Sequence, residues 1–285
     1  MENQWISDPM EKIIFLYHTK KCYMNCGFCY AKTRACNKEL TQKEIFDLAQ
    51  ICKKNKFTVF ALTGGDPFQR TDLKKTLMNL KSLNYITRVD SNLIHYTEKK
   101  LISVSNYLDW LCIPLDGHNE QVHDSMRSKG HFIKTVNKII EIKKICPDIK
   151  IKIHTVLTKK NYKSVMKMKK MITLINPKIW TIYKYFPAGV GEKNKVQFSI
   201  SDKIYKQVKK AIGKSSKFLI DMPNDKIHDK TFLMVEANGT VYGRYDAKLK
   251  RYKTYGTYLE KGIEKALKEY SLKRMDKLYH TETGD

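Results

Sequence analysis

Three cysteines fall within eight residues, in the segment Lys21-Cys22-Tyr-Met-Asn-Cys26-Gly-Phe28-Cys29-Tyr30. Three thiolates on one short loop can converge on a single metal centre. Zinc would want a fourth ligand, usually from a distant Cys/His pair, and the distant Cys112 and Cys146 have no such neighbour. A four-iron cluster held by three cysteines leaves one iron open to an outside ligand. Thiolates are soft donors that suit iron–sulfur chemistry, and Gly27 is expected to let the loop fold tightly around a bulky group. The other cysteines, Cys36, Cys52, Cys112 and Cys146, are scattered. An odd total without an export signal does not read as a disulfide framework.

The elements that must position this loop follow from the hydrophobic pattern. Short apolar runs rich in β-branched and aromatic residues predict strands at Ile13–Tyr17, Thr58–Leu62, Ile86–Asp90, Trp110–Pro114, Ile149–Val156 and Ile179–Phe186. Amphipathic stretches between them predict helices at Thr41–Lys53, Thr71–Leu83, Thr97–Val104, Ile133–Lys144 and Tyr162–Leu174. The first opens on Thr41-Gln-Lys-Glu44, a capping box. Strand–helix repeats of this length imply parallel strands with right-handed crossovers. Six units before about residue 212 suit a partial (β/α)6 TIM-like barrel better than a closed eight-fold one, so a barrel is expected over 1–212. After Ser201 the rhythm changes, and a small C-terminal α+β extension over 213–285 is expected to pack on the barrel.

The 285 residues carry 54 Lys+Arg against 29 Asp+Glu, a formal charge of +25, and 42% are hydrophobic. That apolar fraction supports a sizeable core and excludes a disordered tail protein. No run of about 18 apolar residues occurs, so no membrane span or membrane partner is expected. The N-terminus lacks the pattern of a secretory signal, so the expected location is cytoplasmic. The lysines are spread along the chain without a nucleic-acid fold motif, and no dedicated nucleic-acid partner is expected.

The C-x3-C-x-Φ-C spacing, with Phe28 as the aromatic residue, resembles the signature of the radical S-adenosylmethionine (SAM) superfamily, and the resemblance extends over roughly Ile13 to Phe186. It implies that Cys22, Cys26 and Cys29 hold one [4Fe–4S] cluster whose open iron chelates SAM. An electron from the cluster would then cleave SAM to methionine and a 5′-deoxyadenosyl radical that abstracts hydrogen from a substrate. A flavodoxin- or ferredoxin-type protein is the implied electron donor. Phe28 and Tyr30 would flank the cofactor. Gly64-Gly65-Asp66-Pro67 resembles the family's GGE(P) motif with Asp for Glu, its glycines admitting a ligand and Asp66 accepting from the SAM ammonium. Ser91-Asn92 resembles the ribose-contacting S/T-N-G, with Leu93 in place of glycine. Leu115-Asp116-Gly117 followed by His123-Asp124-Ser-Met-Arg127 is similar to the DG…HD..R segment of peptide- and cofactor-maturing members. Arg127 is the implied partner of the SAM carboxylate. His118 and His123 read equally as acid/base groups or loop caps. His154-Thr155-Val156 and Tyr183 to Phe186 read equally as adenine contacts or as a barrel layer.

The region from Phe232 to Gly243 and from Tyr255 to Ala266 resembles the tail of twitch and SPASM-type members and of viperin-like nucleotide dehydratases. It holds no cysteine, which removes support for an auxiliary cluster. The expected activity is therefore single-cluster radical SAM chemistry, an oxidoreductase or lyase reaction, on a nucleotide whose phosphates meet Lys184, Lys193 and Lys195. The alternative is maturation of a small ribosomal peptide. A non-catalytic iron–sulfur sensor would have no use for the strand-end motifs.

Overall fold

In the computed structural model, residues 12–31, 38–223, 233–246 and 251–269 are described. Cys36 and Phe232 lie outside them. The barrel half alternates strictly: β1 (Ile13–Thr19), α1 (Gln42–Lys54), β2 (Val59–Gly64), α2 (Leu73–Ser82), β3 (Ile86–Asp90), α3 (Glu98–Val104) and β4 (Trp110–Pro114). It continues with α4 (Glu120–Asp124), α5 (His131–Ile145), β5 (Lys150–Leu157), α6 (Val165–Ile175) and β6 (Ile179–Lys184). Two single turns, α7 (Val190–Lys193) and α8 (Lys195–Phe198), precede α9 (Asp202–Ile212) and β7 (Leu219–Asp221). The chain then runs through β8 (Leu233–Val235), β9 (Thr240–Asp246), β10 (Arg251–Thr257) and α10 (Gly262–Glu269).

Local chemistry accounts for these elements. The Thr41 hydroxyl caps the Glu44 amide at 3.3 Å while the Glu44 carboxylate takes the Thr41 amide at 2.8 Å, closing the expected capping box. Helix α1 then buries Ile45, Leu48, Ala49 and Cys52, one stripe at helical spacing. Strand β5 alternates from residue to residue. Ile151, Ile153, Thr155 and Leu157 are buried toward the helices, and Lys150, Lys152, His154 and Val156 are half-buried on the other face.

One ten-stranded sheet results, in the order β10-β9-β8-β1-β2-β3-β4-β5-β6-β7. Strands β1 to β7 pair in parallel in sequence order, as a partial barrel requires. The strands after residue 212 divide between the two edges. Strand β7 extends β6 in parallel, and β8 adds in parallel beside β1 before β9 and β10 turn back antiparallel. The sheet remains open. The core lies between its outer face and the helices, with Trp180, Phe60, Leu62 and Leu77 fully buried.

Candidate functional site

The C-terminal ends of the barrel strands open onto a cavity of about 310 Å³, the end of the sheet where barrel chemistry is done. The cysteine loop closes one side of it. Cys22, Cys26 and Cys29 all line the cavity as free thiols, with Phe28 and Tyr30 beside them. Burial pushes the Cys26 thiol up, and the Arg127 guanidinium opposes that shift. Two side chains from other loops reach the sulfurs. The Asn92 amide lies 3.5 Å from Cys22 Sγ, and Arg127 Nη1 lies 3.9 Å from Cys26 Sγ. The Arg127 guanidinium also stands over the Phe28 ring, 5.1 Å from its centroid. Three soft thiols on one wall, with hydrogen-bond donors on two of them, fit an iron–sulfur cluster. Among the described residues no three His, Cys, Asp or Glu side chains close on a single metal ion.

The loop is held in place by the turn after β2. Gly65 N–H donates to Thr19 O at 2.7 Å and Asp66 N–H to Lys21 O at 2.9 Å, immediately before Cys22. Gly64 has φ +110°, and a Cβ on Gly65 would fall 1.9 Å from Lys21 O. Both glycines line the cavity. The approach that demands a glycine is nevertheless to the chain's own backbone, not to a ligand. Gly27 departs from expectation as well. It has no left-handed φ, and a Cβ there would only touch Asn194 and Phe198 at 3.4 Å.

Asp66 stands behind the glycine pair. It is fully buried and off the cavity wall. Its oxygens accept from Phe68 N at 3.0 Å, Ser91 Oγ at 3.0 Å and Asn92 N at 3.1 Å. An aspartate arm is one methylene shorter than the glutamate of the resembling motif, and its oxygens meet these local donors. Burial pushes its pKa up to about 6 against those hydrogen bonds.

Ser91 and Asn92 line the cavity, while Leu93 takes the glycine position of the motif with φ +62° and only 1% exposure. Asp116 is fully buried and off the wall. Its carboxylate accepts from Arg127 Nε at 2.5 Å and from Val156 N at 2.7 Å. Arg127 is thus seated on Asp116 while it lines the cavity. Val156 lines the cavity, but Thr155 does not. The strand alternation turns Thr155 into the core, where its hydroxyl donates to Leu115 O at 2.6 Å and accepts from Trp180 Nε1 at 2.9 Å. His123 is a loop cap, accepting from Asp116 N at 3.0 Å. Lys184 lines the cavity, whereas Lys193 and Lys195 do not.

The sequence reading missed Lys20, Arg88, Cys112 and Tyr252, all of which line the cavity. Period-two alternation would have found Arg88 and Cys112, which share the inner face with Asp90 and Pro114. His154 Nε2 stands 3.5 Å from Arg88 Nη2, and burial holds this imidazole well below its usual pKa. Among the described residues, the four lysines and arginines on the wall are ion-paired. Lys20 meets Glu236 at 2.6 Å, Arg88 meets Asp90 at 2.8 Å, Arg127 meets Asp116 at 2.5 Å, and Lys184 meets Asp202.

The family model of the radical SAM superfamily matches residues 16–172, over half of the 285-residue chain and the whole cysteine-loop side of this cavity. The chain belongs to the radical SAM superfamily. This radical SAM chain is 25% identical over 263 residues to an S-adenosylmethionine-dependent nucleotide dehydratase of Lacinutrix mariniflava. That alignment covers 87% of the chain and 53% of the relative, so the chain spans about half the length of the curated relative it matches. Streptococcus suis SuiB bound to its precursor peptide SuiA superposes with TM-score 0.72 at 13% identity, over 93% of this chain and 66% of SuiB. The enzyme anSMEcpe with bound AdoMet and Kp18Cys peptide gives TM-score 0.72 at 14% identity, over 92% of this chain and 81% of its own. At such identities the likeness is one of fold. Among the described residues no helix is long and apolar enough to cross a membrane.

Proposed function

We propose that Cys22, Cys26 and Cys29 hold one [4Fe–4S] cluster, that SAM binds beside it in the cavity, and that the radical chemistry acts on a nucleotide. The nucleotide dehydratase alignment over 87% of the chain carries the substrate class. When bound, the cluster supplies the electron that splits SAM into methionine and a 5′-deoxyadenosyl radical, with a flavodoxin- or ferredoxin-type protein as its source. The chain's own residues orient and enclose. Asn92 and Arg127 place donors on two sulfurs, Phe28 and Tyr30 wall the cofactor, and Val156 supplies an apolar contact.

The ion pairs select which cation an anionic substrate can recruit. Glu236 and Asp116 are buried, and Asp90 is largely so, so taking their partners would strand carboxylates away from water. Asp202 is 72% exposed and loses little when Lys184 leaves it. Among the described wall cations, Lys184 is thus the one whose pair with an exposed carboxylate a phosphate can most readily replace.

The test is anaerobic reconstitution followed by incubation with SAM, dithionite and each of the four ribonucleoside triphosphates, reading 5′-deoxyadenosine. Stimulation by a nucleotide that falls with added salt and is weakened in Lys184→Ala is the expected result. Stimulation by none of the four removes the nucleotide reading and favours a small ribosomal peptide as substrate. In parallel, Cys22→Ala, Cys26→Ala and Cys29→Ala should each lose the iron and sulfide complement. A full complement in any of them defeats the ligand assignment.

A further inference from the structure

Behind the cavity, the turns that carry Asn92 and Arg127 to the cysteine sulfurs are joined by a buried pair of histidines. His123 and His131 are 0% and 3% exposed, and their rings lie 8° from parallel with centroids 5.1 Å apart. Their tautomers follow from their partners. Asp116 N–H donates to His123 Nδ1 at 3.0 Å, so the proton of a neutral His123 sits on Nε2. That nitrogen faces His131 Nδ1 at 2.7 Å, which leaves the His131 proton on Nε2, donating to the Asn92 carbonyl at 2.9 Å. One arrangement of protons satisfies all three contacts. Burial holds both imidazoles below their ordinary pKa, His123 at about 3.

The surrounding sequence is spent on building this bridge. A Cβ on Gly117 would lie 2.3 Å from His123 N, so the close approach of α4 to the end of β4 requires glycine. Asp124 accepts from Gly130 N at 2.5 Å and Phe132 N at 2.9 Å, which seats the first turn of α5 and with it His131. At one end the bridge meets Asp116, whose carboxylate holds Arg127 against Cys26. At the other it meets Asn92, whose amide lies on Cys22.

We propose that His123 and His131 are positioning residues that lock the turns after β3 and β4 together, so that the Asn92 amide and the Arg127 guanidinium stay on the sulfurs of Cys22 and Cys26. The bridge thereby raises the reduction potential of the cluster those cysteines carry. This rests on the cluster assignment above. Donors and positive charge at a thiolate favour the reduced, more negative cluster, and slackening either turn withdraws them.

The experiment is an EPR-monitored redox titration of reconstituted full-length protein, with iron and sulfide measured on every sample. His131→Met fills the space without polar atoms, His131→Gln keeps one acceptor and one donor, and His123→Met cuts the bridge at its other end. Leu77→Ala, buried on α2, controls for lost stability. Either Met variant that folds should load iron as wild type does. At a potential near the wild-type midpoint it should show a several-fold smaller reduced fraction, with His131→Gln restoring most of it. An unchanged midpoint in an iron-replete Met variant, or an equal shift in Leu77→Ala, overturns the proposal. Wild-type protein that holds no iron and sulfide would instead overturn the cluster assignment.

Discussion

Two aspartates at the ends of barrel strands, Asp66 after β2 and Asp116 after β4, are both fully buried behind the cysteine loop, yet they do opposite work. Asp66 meets neutral donors and knots the turn after β2 to the turn after β3, with its pKa pushed up to about 6 by burial. Asp116 faces a guanidinium and delivers that cation to a sulfur. A buried carboxylate held by dipoles is architecture. One held by a cation that keeps a free edge toward the cavity belongs to the electrostatics of the site. The neighbours that supply the donors separate the two roles, whereas the adjoining glycines do not.

The largest expected effect comes from breaking the charged member. Arg127→Ala leaves Asp116 buried without its cation, which should cost about 3–5 kcal/mol in urea unfolding. A loss under about 1 kcal/mol would show that Asp116 is as well served by neutral donors as Asp66 is. Next comes Asp66→Asn. Oδ2 of Asp66 accepts from both Asn92 N and Ser91 Oγ, so an amide NH2 there meets a donor. About 1–3 kcal/mol should be lost in the same assay, and a neutral substitution would remove the knot from the account.

The pH profile sharpens the difference further. The folded pKa of Asp66, about 6, lies above its unfolded value, so its contribution is fully present below about pH 4 and lost as pH rises through 6. The stability gap between wild type and Asp66→Asn should therefore widen as pH falls from 7 to 5. Both proteins share the buried neutral histidines, whose acid penalty cancels in the difference. A flat gap would mean that Asp66 is not raised. The smallest effect is expected for Ser91→Ala, which removes one neutral hydroxyl from Asp66 and should cost about 0.5–1.5 kcal/mol by thermal melting.

The alternation of strands and helices was legible because each barrel unit is long enough to show its period. Predicted and observed bounds of β3 and β4 coincide, and α1 starts one residue after its capping threonine. Strands β7 and β8 have three residues each, too few for a period, and their places at opposite edges depend on pairings distant in sequence. In the site, residue type and spacing were enough to single out the three cysteines, the glycine pair and Asn92, which line one cavity. They were not enough to show where a side chain points. Thr155 and Val156 are neighbours on opposite faces of β5, and a motif names both. Asp66 occupies a motif position, and the sequence does not show that its carboxylate is buried behind the cavity wall. The histidine bridge was hidden because His131 lies outside the recognised segment, and only the fold brings it to His123.

Leu93 sets the evolutionary reach of the turn after β3. A leucine at φ +62° carries backbone strain of about 1–2 kcal/mol that glycine would not, while burying its side chain contributes about 1.5–3 kcal/mol. Reversion to glycine would release the strain, open a void in the core and give the unfolded chain more conformations to lose on folding. The two residues are therefore not interchangeable spellings of one motif. Each suits a different packing behind it, so exchanging one for the other calls for a matching change in the core.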